Sequence, residues 1–332
     1  MDENKIVISS RVRFARNLKD INFPQRLNLE DRKKVVDNVT SSILESNSYI
    51  SKEFNLVNLN TLKDYEKASL VEKHLISKEL LNSKEGAALI NSSETISIMI
   101  NEEDHIRLQV IEKGLNIEKC FDIANKIDDL MEEKLTYAFD PKFGYLTSCI
   151  TNIGCAARVS VMMHLPALTK SNKIPILSKE LSRLSMTIRG IYGEGSKGLS
   201  NMYQVSNQGS LGTFEENIIK NISEVVKSII KSEIKERKSL LYKDKEELED
   251  IIYRSFGILK YTKKISTKDA LNLLSNVRLG VEMGMIDNIS FEKIQEITEN
   301  IQSGNIQRIF SKNMTPRERD IERAKMLNKL LV

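Results

Sequence analysis

Cysteine, histidine and proline are scarce in this chain of 332 residues: three, three and five. Three cysteines at unpaired spacings give no disulfide framework and fit a reducing compartment. Together with the three histidines, Cys120, Cys149 and Cys155 complete no zinc ligand set, so no protein-bound metal is expected. The longest apolar run, around Val161 to Leu168, falls far short of a membrane span, and the polar start from Met1 to Lys5 has no signal-peptide core. The expectation is a cytoplasmic protein with no membrane partner. No repeat, low-complexity tract or proline-rich linker divides the chain. A net charge of +4, from 50 basic and 46 acidic residues interleaved along the chain, does not suggest nucleic acid as a partner. The phosphate loop Gly-x-x-x-x-Gly-Lys-Ser/Thr is missing. The run from Gly193 to Gly198 has the wrong spacing, and the signatures of hydroxyl-directed protein kinases are absent too.

What remains is organised in two parts. The length and 40% apolar content support two domains. Apolar spacing predicts a helix from Glu30 to Leu44, a meander of strands at Ala87–Ile90, Thr95–Ile100 and Ile106–Ile111, and a helix from Asn116 to Leu135. A strand at Tyr145–Ser148, a helix at Ala156–Leu168 and strands at Thr187–Tyr192 and Met202–Ser206 follow in the same reading. From about Glu215 the pattern turns wholly helical, with a long helix to about Leu240 joining the parts. Its last helix is announced by Thr315 as N-cap, Pro316 in the first turn and Glu318 three residues on. The fold class is therefore α+β, an antiparallel sheet flanked by helices over residues 1–225 and a smaller all-helical domain over 226–332.

Five arginines dominate the first part: Arg11, Arg13, Arg107, Arg158 and Arg189. Any one alone reads as half of an ordinary surface ion pair. As a set, their planar, permanently charged forks describe a cage for phosphate oxygens. Carboxylates accompany them: Glu102, Glu103 and Asp104 just before Arg107, and Glu194 just after Arg189. These would receive a second, cationic substrate.

The stretches Ser9–Asn17, Asn101–Arg107, Gly144–Asn152, Arg158–Met162 with His164–Pro166, and Arg189–Glu194 resemble, in order, the motifs of the phosphagen (guanidino) kinase family, and most closely those of its protein-arginine kinases. The resemblance implies ATP-dependent phosphorylation of arginine side chains. ATP, bringing Mg²⁺ with it, would be bound by Ser9, Ser10, Arg11, Val12, Arg13, His74, Arg107, Arg158, Val159, Ser160, Val161, Met162, Arg189, Gly190, Ile191, Tyr192, Gly193 and Glu194. Glu103 and Glu194 match the glutamates that orient the acceptor guanidinium and take its proton, and Cys149 matches an active-site cysteine that helps orient it. Phosphorylating a guanidinium nitrogen requires such a base because the group is protonated at neutral pH. A stretch near the end, Arg319, Asp320, Ile321, Glu322, Arg323 and Ala324, resembles a phosphoarginine-binding motif.

Kinases of free guanidino compounds carry a helical domain ahead of the first of these motifs. Here Ser9 stands almost at the start of the sequence, which implies an acceptor site open to arginine on a polypeptide. Further implications are a role in stress response and protein quality control, with an activator protein, a Clp protease and a homodimer as partners. A kinase of free arginine, and a phosphoarginine-binding adaptor with an inactive kinase site, are the other readings. Two departures bear on the loop beside the phosphates: Ile150 where the family has proline, and Gly154-Cys155-Ala156-Ala157 where it has a glycine-rich run.

Overall fold

A computed structural model describes residues 5–46, 48–191 and 198–331. In chain order it contains β1 (Val7–Arg16), α1 (Leu29–Leu44), β2 (Phe54–Asn58), α2 (Asp64–Glu72), α3 (Lys78–Leu81), β3 (Ala87–Asn91), β4 (Ile96–Ile100), β5 (Ile106–Lys113) and α4 (Ile117–Glu132). There follow β6 (Phe139–Asp140), β7 (Gly144–Tyr145), β8 (Ala157–His164), α5 (Pro166–Lys170), α6 (Ile174–Arg183), β9 (Met186–Gly190) and β10 (Met202–Asn207). The rest is helical: α7 (Glu215–Lys243), α8 (Lys245–Tyr261), α9 (Thr267–Glu282), α10 (Phe291–Asn300), α11 (Ser303–Ile309) and α12 (Pro316–Leu330).

Eight strands form one antiparallel sheet in the order β2-β3-β4-β5-β1-β8-β10-β9. Strand β1 is central and shows the period-two logic of the whole sheet. Val12, Phe14 and Arg16 are buried in a core built with α1, α4 and α7, while Arg11 and Arg13 lie on the other face and are less covered. Antiparallel register carries this across the neighbours. Arg11 stands opposite Ser160, Arg13 opposite Arg158 and Ala15 opposite Arg107. One face is thus a hydrophobic floor, and the other presents guanidinium groups from adjacent strands.

Two local expectations fail. Residues 157–164 form strand β8, and the helix begins only at Pro166. Val159, Val161 and Met163 face the core while Arg158, Ser160 and Met162 face the opposite way. A strand covered on both faces reads as a nearly unbroken apolar run, which periodicity does not separate from a buried helix. The strand expected at Tyr145–Ser148 stops at Tyr145. Beyond it the backbone is used by side chains, Ser148 N donating to Asp104 Oδ1 at 2.7 Å.

The second part is helical as expected, with its own core of α8, α9, α10 and α12. Helix α7 runs between the cores, burying Ile218 to Ile230 in the first and resting Leu240 against the second. Thr315 Oγ1 accepts from Glu318 N, and the Glu318 carboxylate accepts from Thr315 N, closing the capping box at the start of α12.

Candidate active site

The acidic run before Arg107 forms a tight turn in which each residue has a separate task. Asn101, at φ 59°, donates to Arg32 O and Glu85 O. Glu102 is ion-paired to Arg107. Asp104 is buried and accepts from Asn17 Nδ2 and Ser148 N, both at 2.7 Å. His105, also buried, accepts from Leu18 N at Nδ1 and lies 2.9 Å from Asn22 O at Nε2. Glu103 alone is exposed and carries no side-chain partner within the turn, its backbone carbonyl being held by Gln25 Nε2. Desolvation on its inner side, then Asp104 and Glu102, push its carboxyl above the usual range.

Glu103 opens on a small cavity of about 100 Å³ lined also by Arg13, Arg107, Arg158, Asn152 and Ala156. The guanidinium groups here are charge-frustrated. Burial, followed by Arg107 and Arg158, lowers Arg11 to about 10. Burial, then Arg11, Arg107 and Arg158, lowers Arg13 well below its usual value. Burial, then Arg189 and Arg107, lowers Arg158. Arg13 Nε and Arg158 Nε are buried without a hydrogen-bond partner, and Glu102 is the carboxylate engaged with the cluster. Like charges held this close are stabilised by an anion. Arg189 joins from the edge strand β9, on the same face and exposed.

A second cavity, about 1000 Å³, continues from Arg11 and Arg107 between walls of Val71, Ile76, Leu81, Met99 and Ile191. Its apolar sides and charged end suit a nucleotide, base inward and phosphates at the arginines. His74, at φ 59° at the end of α2, borders it, with its carbonyl accepting from Gln109 Nε2. Burial, then Arg11, lowers its imidazole to about 4, so it is neutral at working pH.

Of the motif residues, Ser9, Ser160 and Met162 lie on the arginine face, Ser160 Oγ accepting from Arg11 Nε at 3.3 Å. Ser10, Val12, Val159 and Val161 do not. Their side chains are buried on the opposite face, Ser10 Oγ donating to Gly114 O, because adjacent residues of a strand point in opposite directions. Gly190 ends β9 and Ile191 lines the nucleotide-sized cavity. Tyr192, Gly193 and Glu194 lie outside the described residues. Cys149 is half-buried, its Sγ 3.0 Å from Thr151 Oγ1. Ala156 sits in the left-handed region at φ 50°. Among the residues that sequence reasoning missed are Val71, Ile76, Leu81 and Met99 of the cavity wall.

On α12, Arg319 and Arg323 are not equivalent. Arg323 is fully buried and donates to Ile301 O, Ile265 O and Asp320 Oδ1, leaving Nη2 unpaired. Asp320 is thereby committed to Arg323. Arg319 is half-buried, with Nη1 donating to Met314 O at 2.8 Å. Ile321 and Glu322 are half-buried and Ala324 is buried in the helical core.

Residues 34–236 match the family described as ATP:guanido phosphotransferase, C-terminal catalytic domain, and residues 245–332 match the protein-arginine kinase McsB C-terminal domain. The chain is 45% identical over 327 residues to a protein-arginine kinase of Caldanaerobacter subterraneus, covering 98% of this chain and 97% of that one. It is 47% identical to a protein-arginine kinase of Clostridium kluyveri, covering 98% and 94%. Among solved structures it is similar to lombricine kinase, with a TM-score of 0.60 at 25% identity over 70% of this chain and 67% of that one. The duplicated taurocyamine kinase of Schistosoma mansoni shares the fold with a TM-score of 0.64 at 20% identity, over 79% of this chain and 40% of that one.

Proposed function

The chain belongs to the ATP:guanido phosphotransferase family, and we propose that the arginine face of its sheet transfers the γ-phosphoryl group of ATP to arginine side chains of proteins. Its activity is that of a protein-arginine kinase. The observation that supports these site roles best is the convergence of Arg11, Arg13, Arg107 and Arg158, mutually repelling and partly unpartnered, beside one free carboxylate.

In this reading ATP places its base in the larger cavity and its phosphates among the arginines. Phosphoryl transfer spreads negative charge over the equatorial oxygens, so fixed guanidinium groups lower the barrier mainly by charge neutralisation and positioning. Mg²⁺ enters as part of the nucleotide substrate. The acceptor guanidinium lies against Glu103, which orients it and takes its proton as the P–N bond forms and the bond to the leaving ADP oxygen breaks. A raised carboxyl value suits that base. Cys149 sits on the acceptor side as an orienting group, and Glu194 is assigned as the second carboxylate. Phosphoarginine binding is assigned to the stretch from Arg319 to Ala324, with Arg319 as the available cation and the buried Arg323 fixing the helix beneath it.

No helix among the described residues is long and apolar enough to cross a membrane. We place the protein in the cytoplasm, acting in stress-related protein quality control with an activator protein and a Clp protease, as a homodimer whose helical part, beginning near residue 226, holds the phosphoarginine site.

Glu103→Gln tests the central role. It keeps size and hydrogen bonding but removes the proton acceptor, so transfer should fall at least 100-fold, on the order of general-base effects, with ATP affinity nearly unchanged. Retention of most of the steady-state rate would remove Glu103 as the base.

A further inference from the structure

Just past Cys149 the surface turns apolar. Ile150 is 79% exposed, Leu211 62% and Phe214 73%. They stand on two segments that the backbone binds into one layer. Tyr145 N donates to Gly154 O at 2.8 Å, Gly154 bridges to Ser210, and Ser210 Oγ lies 3.0 Å from Asn152 O and 3.1 Å from Ile153 O. Gly154 has φ 118°, and a Cβ there would collide with the backbone of Ser210. The segments touch main chain to main chain, leaving no space between them to take in these large side chains. The layer also carries Asn152, which lines the small cavity with Glu103.

The position of this surface dictates what crosses it. A guanidinium resting on Glu103 is joined to a main chain no more than one arginine side chain away. Its neighbours follow at about 3.3–3.6 Å per residue when extended, so residues flanking the acceptor must run over the cavity rim. On the Cys149 side the lining residue is Asn152, two residues after Ile150, and its carbonyl holds Ser210, which the chain follows with Leu211 and Phe214. Exposed apolar groups gathered beside a site mark an interaction surface, and covering them is favourable in proportion to the area removed from water.

We propose that Ile150, Leu211 and Phe214 form a docking surface for apolar residues flanking the acceptor arginine in an extended segment of the protein substrate. This rests on the protein-arginine kinase reading of the site and adds a sequence preference to it. The surface acts on substrate binding and touches no reacting atom.

The test uses two peptides that share one arginine, flanked by leucines in one and serines in the other, with the full-length protein and ATP. The wild type should show a KM about tenfold lower for the leucine peptide, with similar kcat. The double variant Leu211→Ser, Phe214→Ser should lose that difference while its kinetics on the serine peptide stay unchanged. Phe214 occupies the N-cap of α7, where serine is a favoured residue, so the variant should fold, as its thermal midpoint will verify. Equal KM values in the wild type, or an undiminished preference in the variant, would overturn the docking surface while leaving the kinase intact. A variant altered in oligomeric state but not in KM would assign the patch to contact between copies of this chain and equally overturn it. Turnover of neither peptide would overturn the kinase reading and this surface with it.

Discussion

Ala156 takes a left-handed backbone conformation that costs an L-residue about 1–2 kcal/mol. Ala156→Gly should therefore raise stability by roughly 0.5–1 kcal/mol after allowing for the greater entropy of glycine in the unfolded chain, a gain measurable by urea titration. That glycine is sparse in the loop around Ala156 is visible in the sequence, whereas the residue that bears the strain is not, since φ is not written in residue type. Legibility at this scale followed charge. Five arginines are conspicuous because their permanently charged planar forks suit phosphate oxygens, and their motifs supply order. Ser10 and Val12 were included with their neighbours because a contiguous motif conceals that a strand turns alternate residues to opposite faces. Ile76 and Met99 escape notice because an apolar residue lining a cavity has the same sequence pattern as one in a core.

Helices α2 and α11 meet unusually closely. A Cβ on Gly304 would stand 2.5 Å from Ser69 N, and the Glu72 carboxylate accepts from Gly304 N at 2.8 Å and Asn305 N at 2.9 Å. Gly304→Ala must push the helices apart and loosen that grip, at a cost of about 1–3 kcal/mol, to be read as a lower denaturation midpoint. Glu72 and Gln302 also border the nucleotide-sized cavity, so the same variant should weaken ATP binding. On α12, Arg319→Ala is the clean probe of phosphoarginine binding: affinity should fall about tenfold or more for one charge-assisted contact, and isothermal calorimetry showing no change would remove the site. Arg323→Ala instead leaves Ile301 O, Ile265 O and Asp320 without their donor and should unfold the helical part first. Strong amphipathic helices and capped ends were legible in the sequence. Strand β8 was not, because its residues are apolar on one face and covered on the other.

A buried ionic network ties the parts of the molecule together: His164 of β8, Glu233 and Arg237 of α7, and Arg278 and Glu282 of α9, with Arg278 reaching Lys5 O. Burial, opposed by Glu282, lowers His164 to about 4, while the adjacent cations hold Glu282 well below the usual carboxylate range despite its burial. His164 has its ordinary value of 6.5 when unfolded, so between about 6.5 and 4 the unfolded chain binds the extra proton. Stability is complete above that window and falls through it by at most about 3 kcal/mol for this imidazole, with His74 acting in the same direction. Below it, protonation of Glu282 removes more. Urea titrations at pH 7.5 and 5.0 should show the loss, and His164→Gln should flatten the slope. The two-part organisation was visible from composition; this network was not, because nothing local marks His164 or Glu282 as partners 118 residues apart. The most direct measurement for the whole account is incubation of the full-length protein with ATP, magnesium and an unfolded arginine-rich protein, followed by mass-spectrometric localisation of the phosphate. Acid-labile phosphate on arginine side chains, with little turnover of free arginine, is the predicted result, and acid-stable phosphate on serine, threonine or tyrosine, or efficient turnover of free arginine, would contradict it.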